Sequence, residues 1–227
     1  MKILFYLTLL LSASCNSQNE KNHILTHEEI KICDSLKIDT KIIAKLRNYN
    51  SSKIESFHYS MSSTYEDGNE IEINPLLLNG IIFNEENEKS FNLVISLKDF
   101  YKELGYSIFV LDNNFGIENQ KDKIAILKTT DKIEILKLLQ TNGINYDLEN
   151  KDICKKIEEL DKLYNLELIG ASGDWCEFIM HKEPQNWLKF SKEMYKFCPD
   201  IVDQGVGSVE ELAKEMKSTK HLYFWWD

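Results

Sequence analysis

After residue 11 the chain has no further long apolar run. Nothing there approaches the roughly 20 consecutive apolar positions that a spanning helix needs, so the body is expected to be soluble. Basic residues are not in excess either: 27 lysines and arginines stand against 37 aspartates and glutamates, a formal charge of −10. Such a surface argues against nucleic acid as a partner, because phosphates demand a basic stripe. It also argues against tight contact with anionic lipid heads. No CxxC pair occurs, and the cysteine spacing fits no zinc pattern. Neither His181 nor His221 belongs to an HExxH or HxxxH pair, which leaves a zinc hydrolase unsupported. No cofactor is indicated.

What is present begins with MKILFYLTLLLSASC. Lys2 is a minimal positive region, Ile3 to Leu11 an apolar run, and Ser12, Ala13 and Ser14 small residues before Cys15. This arrangement resembles a bacterial lipoprotein signal, in which the cysteine is lipidated and becomes the new N-terminus. The usual leucine three places before the cysteine is here Ser12, and an ordinary secretory signal with a chance cysteine is the plainer alternative. The lipoprotein reading is favoured, because a short apolar region, small residues and then cysteine are what lipid attachment requires. The expectation is an exported lipoprotein of the cell envelope, anchored by lipid at Cys15. Residues 1–14 would be the signal peptide and 15–25 a flexible tether; loss of Lys2 makes the body one unit more acidic.

Residues 26–92 and 93–227 form the two parts of that body. Thr26, with Glu29 three residues on, is a capping-box pattern, and Ile30, Cys33 and Leu36 follow at helical spacing. A second helix starts at Thr40, giving an N-terminal helical hairpin over 26–49. Short strands are expected beyond it, with turns at Asp67-Gly68 and Asn79-Gly80. From residue 93 a helix-strand-strand-helix order occurs twice: LKDFYKELG, YSIFVLD, a loop with Gly116, KIAILK and a helix near Asp131; then Lys151 to Tyr164, LELIGA, WCEFIMH and Gln185 to Phe197. The fold class is α+β, a mixed sheet with packed helices. The repeated order raises a duplicated unit as a hypothesis from pattern.

Ile153, Ile157, Leu160 and Tyr164 form one apolar stripe, and Trp187, Phe190, Met194 and Phe197 another; both read as core. Cys33, Cys154 and Cys176 fall on such apolar faces, where a free cysteine behaves as a small hydrophobe. In the terminal HLYFWWD, Leu222, Phe224 and Trp226 alternate with His221, Tyr223 and Trp225, which predicts a buried, central strand.

CPDIVDQGVGS at 198–208 concentrates polar chemistry. Pro199 stops the preceding helix, and Ser208 with Glu211 reads as a capping box for the next. A phosphate cradle is rejected: Glu210 and Glu211 fill the first turn, and no lysine or arginine lies between Lys196 and Lys214. The carboxylates of Asp200 and Asp203 suit a guanidinium, an ammonium or a hard metal, or else satisfy their own backbone. Cys198, at a helix C-terminus among acids, is a poor nucleophile. TNGINYD at 141–147 adds Asn142, Asn145 and Tyr146 just before Asn150, read as the next cap.

Together, TNGINYD, CPDIVDQGVGSVEELA and the terminal YFWWD resemble the bacterial family catalogued as domain of unknown function 4253. The resemblance is strong over about the last hundred residues, near 122–227, and weaker through the amino-terminal half. It implies no activity. It does imply that Cys198, Pro199, Asp200, Asp203, Gln204, Gly205, Trp225, Trp226 and Asp227 belong to a shared pattern. Many relatives look cytoplasmic, and the signal here departs from that.

Two functions are carried forward. The first is a lipid-anchored binding module for a cationic protein, immunity-like in one version, or for a small ligand. The alternative is a hydrolase-like enzyme using Asp200 or Asp203 as acid/base or metal ligand, with tryptophans walling the pocket.

Overall fold

The computed structural model describes residues 23–60, 63–66, 69–72, 74–114 and 120–227. The expected signal with Cys15, most of the expected tether, the Asp67-Gly68 pair and Gly116 lie outside them. Among the described residues no helix is long and apolar enough to cross a membrane.

The chain opens with α1 (His27–Leu36) and α2 (Thr40–Leu46). Thr26 and Glu29 close the capping box in both directions, and Ile42, Ile43 and Leu46 are buried. Then come β1 (Ile54–Tyr59), the two-stranded ribbon β2 (Ser63–Glu66) and β3 (Asn69–Glu72), β4 (Leu76–Glu86) and α3 (Asn87–Glu103). The rest is β5 (Ser107–Asp112), β6 (Lys121–Leu127), α4 (Lys132–Leu138), α5 (Asn150–Tyr164), β7 (Leu166–Ala171), β8 (Trp175–Met180), α6 (Trp187–Phe197), α7 (Val209–Thr219) and β9 (His221–Trp225).

Seven strands make one mixed sheet in the order β1-β4-β6-β5-β7-β8-β9; β5 and β7 are parallel and the other neighbours antiparallel. Both faces are covered, which explains why β5 and β6 read as almost continuous apolar runs. Ile108 and Val110 of β5 point into one core with α1, α2 and α3, while Phe109 and Leu111 point into the other with α4 to α7. The apolar stripes of α5 and α6 both join this second core, as their spacing predicts. The sheet draws β1 and β4 from residues 26–92 and β5 to β9 from residues 93–227, so the two parts share one core on each face.

The helix-strand-strand-helix order does occur twice, and its hairpins meet through the parallel pair β5 and β7. The helices do not repeat their placement: α3 and α4 lie on opposite faces, α5 and α6 on the same one.

Three local expectations are corrected. Asn79 and Gly80 lie inside β4 rather than in a turn; Gly80 is opposite Leu127, and a Cβ there would sit 2.4 Å from the Ile126 carbonyl oxygen, so glycine serves close strand approach. β9 is an edge strand, not a central one. Its two apolar faces come from the covering layers rather than from a neighbour on each side: Leu222 and Phe224 join the core under α6 and α7, and Tyr223 packs against Trp175 on the other face. The cap of α5 is Glu149, not Asn150; the Asn150 amide instead donates to the carbonyls of Leu136 and Thr141.

Candidate functional site

The three polar stretches singled out in the sequence meet. As Pro199 requires, α6 ends at Phe197, and Cys198 turns extended. Residues 199–208 are not a plain loop, however: Ile201–Val206 form one wide, π-type helical turn before Ser208 caps α7. The Ser208 hydroxyl accepts from the Glu211 N–H, but Glu211 does not return the bond and pairs with Lys214 at 2.5 Å instead. This wide turn places Ile201 and Val202 in the core and turns the Asp200 side chain inward, where the residue is 2% exposed.

Asp200 is the hub. Its Oδ1 accepts from the Tyr146 hydroxyl at 2.5 Å and from Gln204 Nε2 at 2.9 Å, and its Oδ2 accepts from the Asp227 backbone N–H at 3.0 Å. Burial raises the pKa of this carboxyl; the bonds from Tyr146, Asp227 and Gln204 outweigh that, and the net shift is downward. In return Asp200 pushes Tyr146 up to about 12, chiefly by accepting its hydrogen.

The C-terminus is pinned from several sides. Trp226 donates its backbone N–H to Asp174 at 3.0 Å and its ring Nε1–H to Phe197 at 3.3 Å. Its ring stacks with Phe224 at 5.8 Å and meets Phe197 edge-on at 5.5 Å. On its other side lies Gly143, where a Cβ would come within 2.8 Å of the indole carbons. Asn142 secures that turn: its N–H donates to Gly173 at 2.8 Å, and its Oδ1 accepts from Ile144 at 3.2 Å. Buried Thr141 donates to Ser172 at 2.6 Å. The turn Ile144–Tyr146 that follows brings the tyrosine to Asp200.

Of the candidate residues, Asp200, Gln204, Tyr146, Trp226, Asn142 and the Asp227 backbone are therefore joined in one bonded assembly. Asn145 is exposed and outside it. Asp203 is also exposed and accepts from Tyr195 at 3.0 Å. Trp225 is separated from Trp226 by the alternation of the strand: it packs in the core of the opposite sheet face, so the two tryptophans do not wall one pocket. Cys198 is fully buried; its thiol donates to the Trp225 carbonyl at 2.9 Å, and burial pushes it up to about 12. A thiol so held is no nucleophile at neutral pH. Cys33, Cys154 and Cys176 are likewise free and buried.

Sequence reasoning missed several members: the carbonyls of Phe197, Gly173 and Asp174, the Thr141 hydroxyl, and Gly143 as the seat of Trp226. Backbone acceptors leave no compositional trace. Only the Gly173-Asp174 turn could have pointed to them.

Around the hub is a rim of carboxylates. Asp112 ends β5, Asp174 lies in the turn after β7, and Asp227 follows β9. Desolvation raises the Asp174 pKa most; its own backbone N–H lowers it, and Asp112 and Asp227 raise it further, for a net upward shift. Ile144, on the turn that leads to Tyr146, is 68% exposed. Among the described residues no group of three or more His, Cys, Asp or Glu is placed to hold a metal ion.

A mixed sheet with helices on both faces, closed at its C-terminal end by a buried aspartate that ties three motif segments together, defines the class of this protein. Within it, residues 123–227 match the family model described as Domain of unknown function (DUF4253), a segment that runs from Lys123 in β6 to Asp227. Comparisons with curated proteins and with solved structures gave no match.

Proposed function

We propose that the protein is a lipid-anchored binding module whose acidic end receives a cationic partner, a basic protein in the first instance. The observation that supports this is the commitment of Asp200. Its oxygens hold Tyr146, Gln204 and the chain end, so the residue that a hydrolase would need as acid, base or ligand is spent on architecture. The carboxylates left facing solvent are Asp112, Asp174, Asp203 and Asp227, of which Asp203 accepts from the Tyr195 hydroxyl. With Ile144 and Tyr146 exposed on the turn that reaches Asp200, they offer a mixture of charge and apolar surface that guanidinium and ammonium groups of a protein can engage.

Binding of an arginine-rich peptide to the full-length protein, followed as a function of salt, tests the reading. Affinity should fall steeply with salt. The triple variant Asp112→Asn, Asp174→Asn, Asp203→Asn should bind at least tenfold more weakly, and indifference to both would overturn the proposal. The anchor is tested separately: Cys15→Ser should move the protein from the membrane fraction to the soluble one, and an intact Cys15 protein that is already soluble would refute it.

A further inference from the structure

A cleft at the opposite end of β5 and β7 is lined by more lysines than carboxylates. β5 and β7 are parallel neighbours in register at Val110 and Gly170, near their C-terminal ends, and a cleft of about 130 Å3 opens between their N-terminal ends. Lys98 and Lys102, one turn apart on α3, line it together with Ser107 at the start of β5, Lys132 at the start of α4, Glu167 of β7 and His181 just beyond β8. On a chain of net charge −10, three ammonium groups thus share one cleft with a single carboxylate.

Their pairing is uneven. Glu167 accepts from Lys98 at 2.8 Å and lies 3.0 Å from His181 Nε2, so the one carboxylate of the wall serves both side chains, while Lys98 also meets the exposed Asp99 at 3.2 Å. Lys98 and Glu167 side chains are only 19% and 15% exposed, which makes them a fixed part of the wall rather than mobile surface groups. Lys132 is held at 2.9 Å by Asp161, which is not part of the cleft wall. Lys102 has no ion-pair partner among the described residues.

We propose that this cleft binds a tetrahedral oxyanion, a phosphate or the phosphoryl group of a small ester, with Lys102 and Lys132 as direct contacts. The charge calls for an anion. The size calls for a small one, since the cleft is well below the roughly 300–1,000 Å3 of pockets that enclose whole cofactors or drug-sized ligands. The site lies at the N-terminal ends of β5 and β7, roughly 15–20 Å along the strands from Asp112 and Asp174 at their C-terminal ends, so an anion there escapes the acidic rim.

Isothermal titration of the full-length protein with inorganic phosphate and, in a second arm, glycerol phosphate tests this, with sodium chloride added to hold ionic strength constant. Saturable one-to-one binding is expected in at least one arm, and the tighter arm identifies the source of the phosphoryl group. Lys102→Ala should weaken binding about tenfold, the value of one charge-assisted contact, and Lys102→Glu should abolish it. Lys102 is exposed and has no ion-pair partner among the described residues, so both variants should keep the parent's denaturation midpoint. Lys214→Ala, on α7 and paired with Glu211, should leave binding unchanged. Absence of saturable binding at about 10 mM of either anion, or equal weakening by Lys214→Ala, would overturn the proposal.

Discussion

The Tyr146 hydroxyl donates a 2.5 Å hydrogen bond to Asp200 across 54 residues of chain. On the second oxygen of the same carboxylate sits the backbone N–H of Asp227, the last residue. One buried anion thus sets the position of a short helical turn, a π-type turn and the end of an edge strand. An edge strand lacks a second neighbour to hold it, and this hub supplies the missing restraint.

That role fixes what Asp200→Asn should do. An asparagine can keep the bonds to one oxygen, but its amide would face the Asp227 N–H donor to donor. A loss of about 1–3 kcal/mol is expected for the buried group left unsatisfied. Asp203→Asn, exposed and bonded only to Tyr195, should stay within the roughly 0.5 kcal/mol of ordinary surface changes. Denaturant titration of the two variants beside the parent measures the contrast, and equal losses would remove Asp200 from its place as hub.

The same carboxyl predicts a pH dependence. Its pKa is lower in the fold than its unfolded value near 3.9. The ionised form therefore favours folding; this contribution is whole above the unfolded pKa and is lost as pH falls through the folded one. The stability gap between the parent and Asp200→Asn should stay constant from neutrality down to about pH 5 and narrow below about pH 4. Melting curves across that range decide it; a gap that widens in acid would contradict the sign.

Cys198 should not react. With its thiol buried, bonded to Trp225 and pushed up to about 12, iodoacetamide at pH 8 should leave it unlabelled in the native protein and label it in urea. Cys33, Cys154 and Cys176, all buried, should behave alike. Mass spectrometry after alkylation reads this directly, and rapid native labelling of Cys198 would reopen a catalytic reading.

Gly143→Ala should destabilise the protein although the residue lies in a turn. The added methyl meets the Trp226 ring at 2.8 Å, and overpacking of this kind costs about 1–3 kcal/mol. Combining it with Trp226→Phe should cost less than the sum of the two single changes. Strict additivity in that double-mutant cycle would show that the contact is not the cause.

The family-matched segment 123–227 should not fold by itself. β5 lies between β6 and β7, and its Phe109 and Val110 are fully buried, yet it precedes the segment. Circular dichroism and amide dispersion of the isolated segment should show an unfolded chain; a native-like spectrum would mean that β6 and β7 can close on each other.

Much of this architecture is legible in the amino-acid order alone. The stripes on α5 and α6, the Thr26 capping box, the stop at Pro199 and the paired hairpins all follow from local chemistry, because a helix or strand must bury the face its own spacing makes apolar. Local chemistry also flagged the three polar stretches, though not what joins them. Where sequence reading went astray, a neighbour distant in the chain had decided the matter. Asn79-Gly80 looks like a turn until β6 requires a residue without a side chain. β9 looks central because both of its faces are apolar, and only the strand order shows that covering layers, not flanking strands, bury it.

What the sequence determined by itself was therefore the inventory: an acidic α+β body with its conspicuous polar residues in three stretches. Tertiary structure alone decided their use. It turned Asp200 inward onto Tyr146 and Asp227, left Asp203 in solvent three residues away, and set Trp225 and Trp226 on opposite faces of one sheet. It also gathered Lys98, Lys102 and Lys132 around one cleft, though nothing in their spacing announces a site. The physical reason is the same in each case. Burial and hydrogen-bond satisfaction depend on which distant segments meet, and local patterns report only the face that each segment must hide.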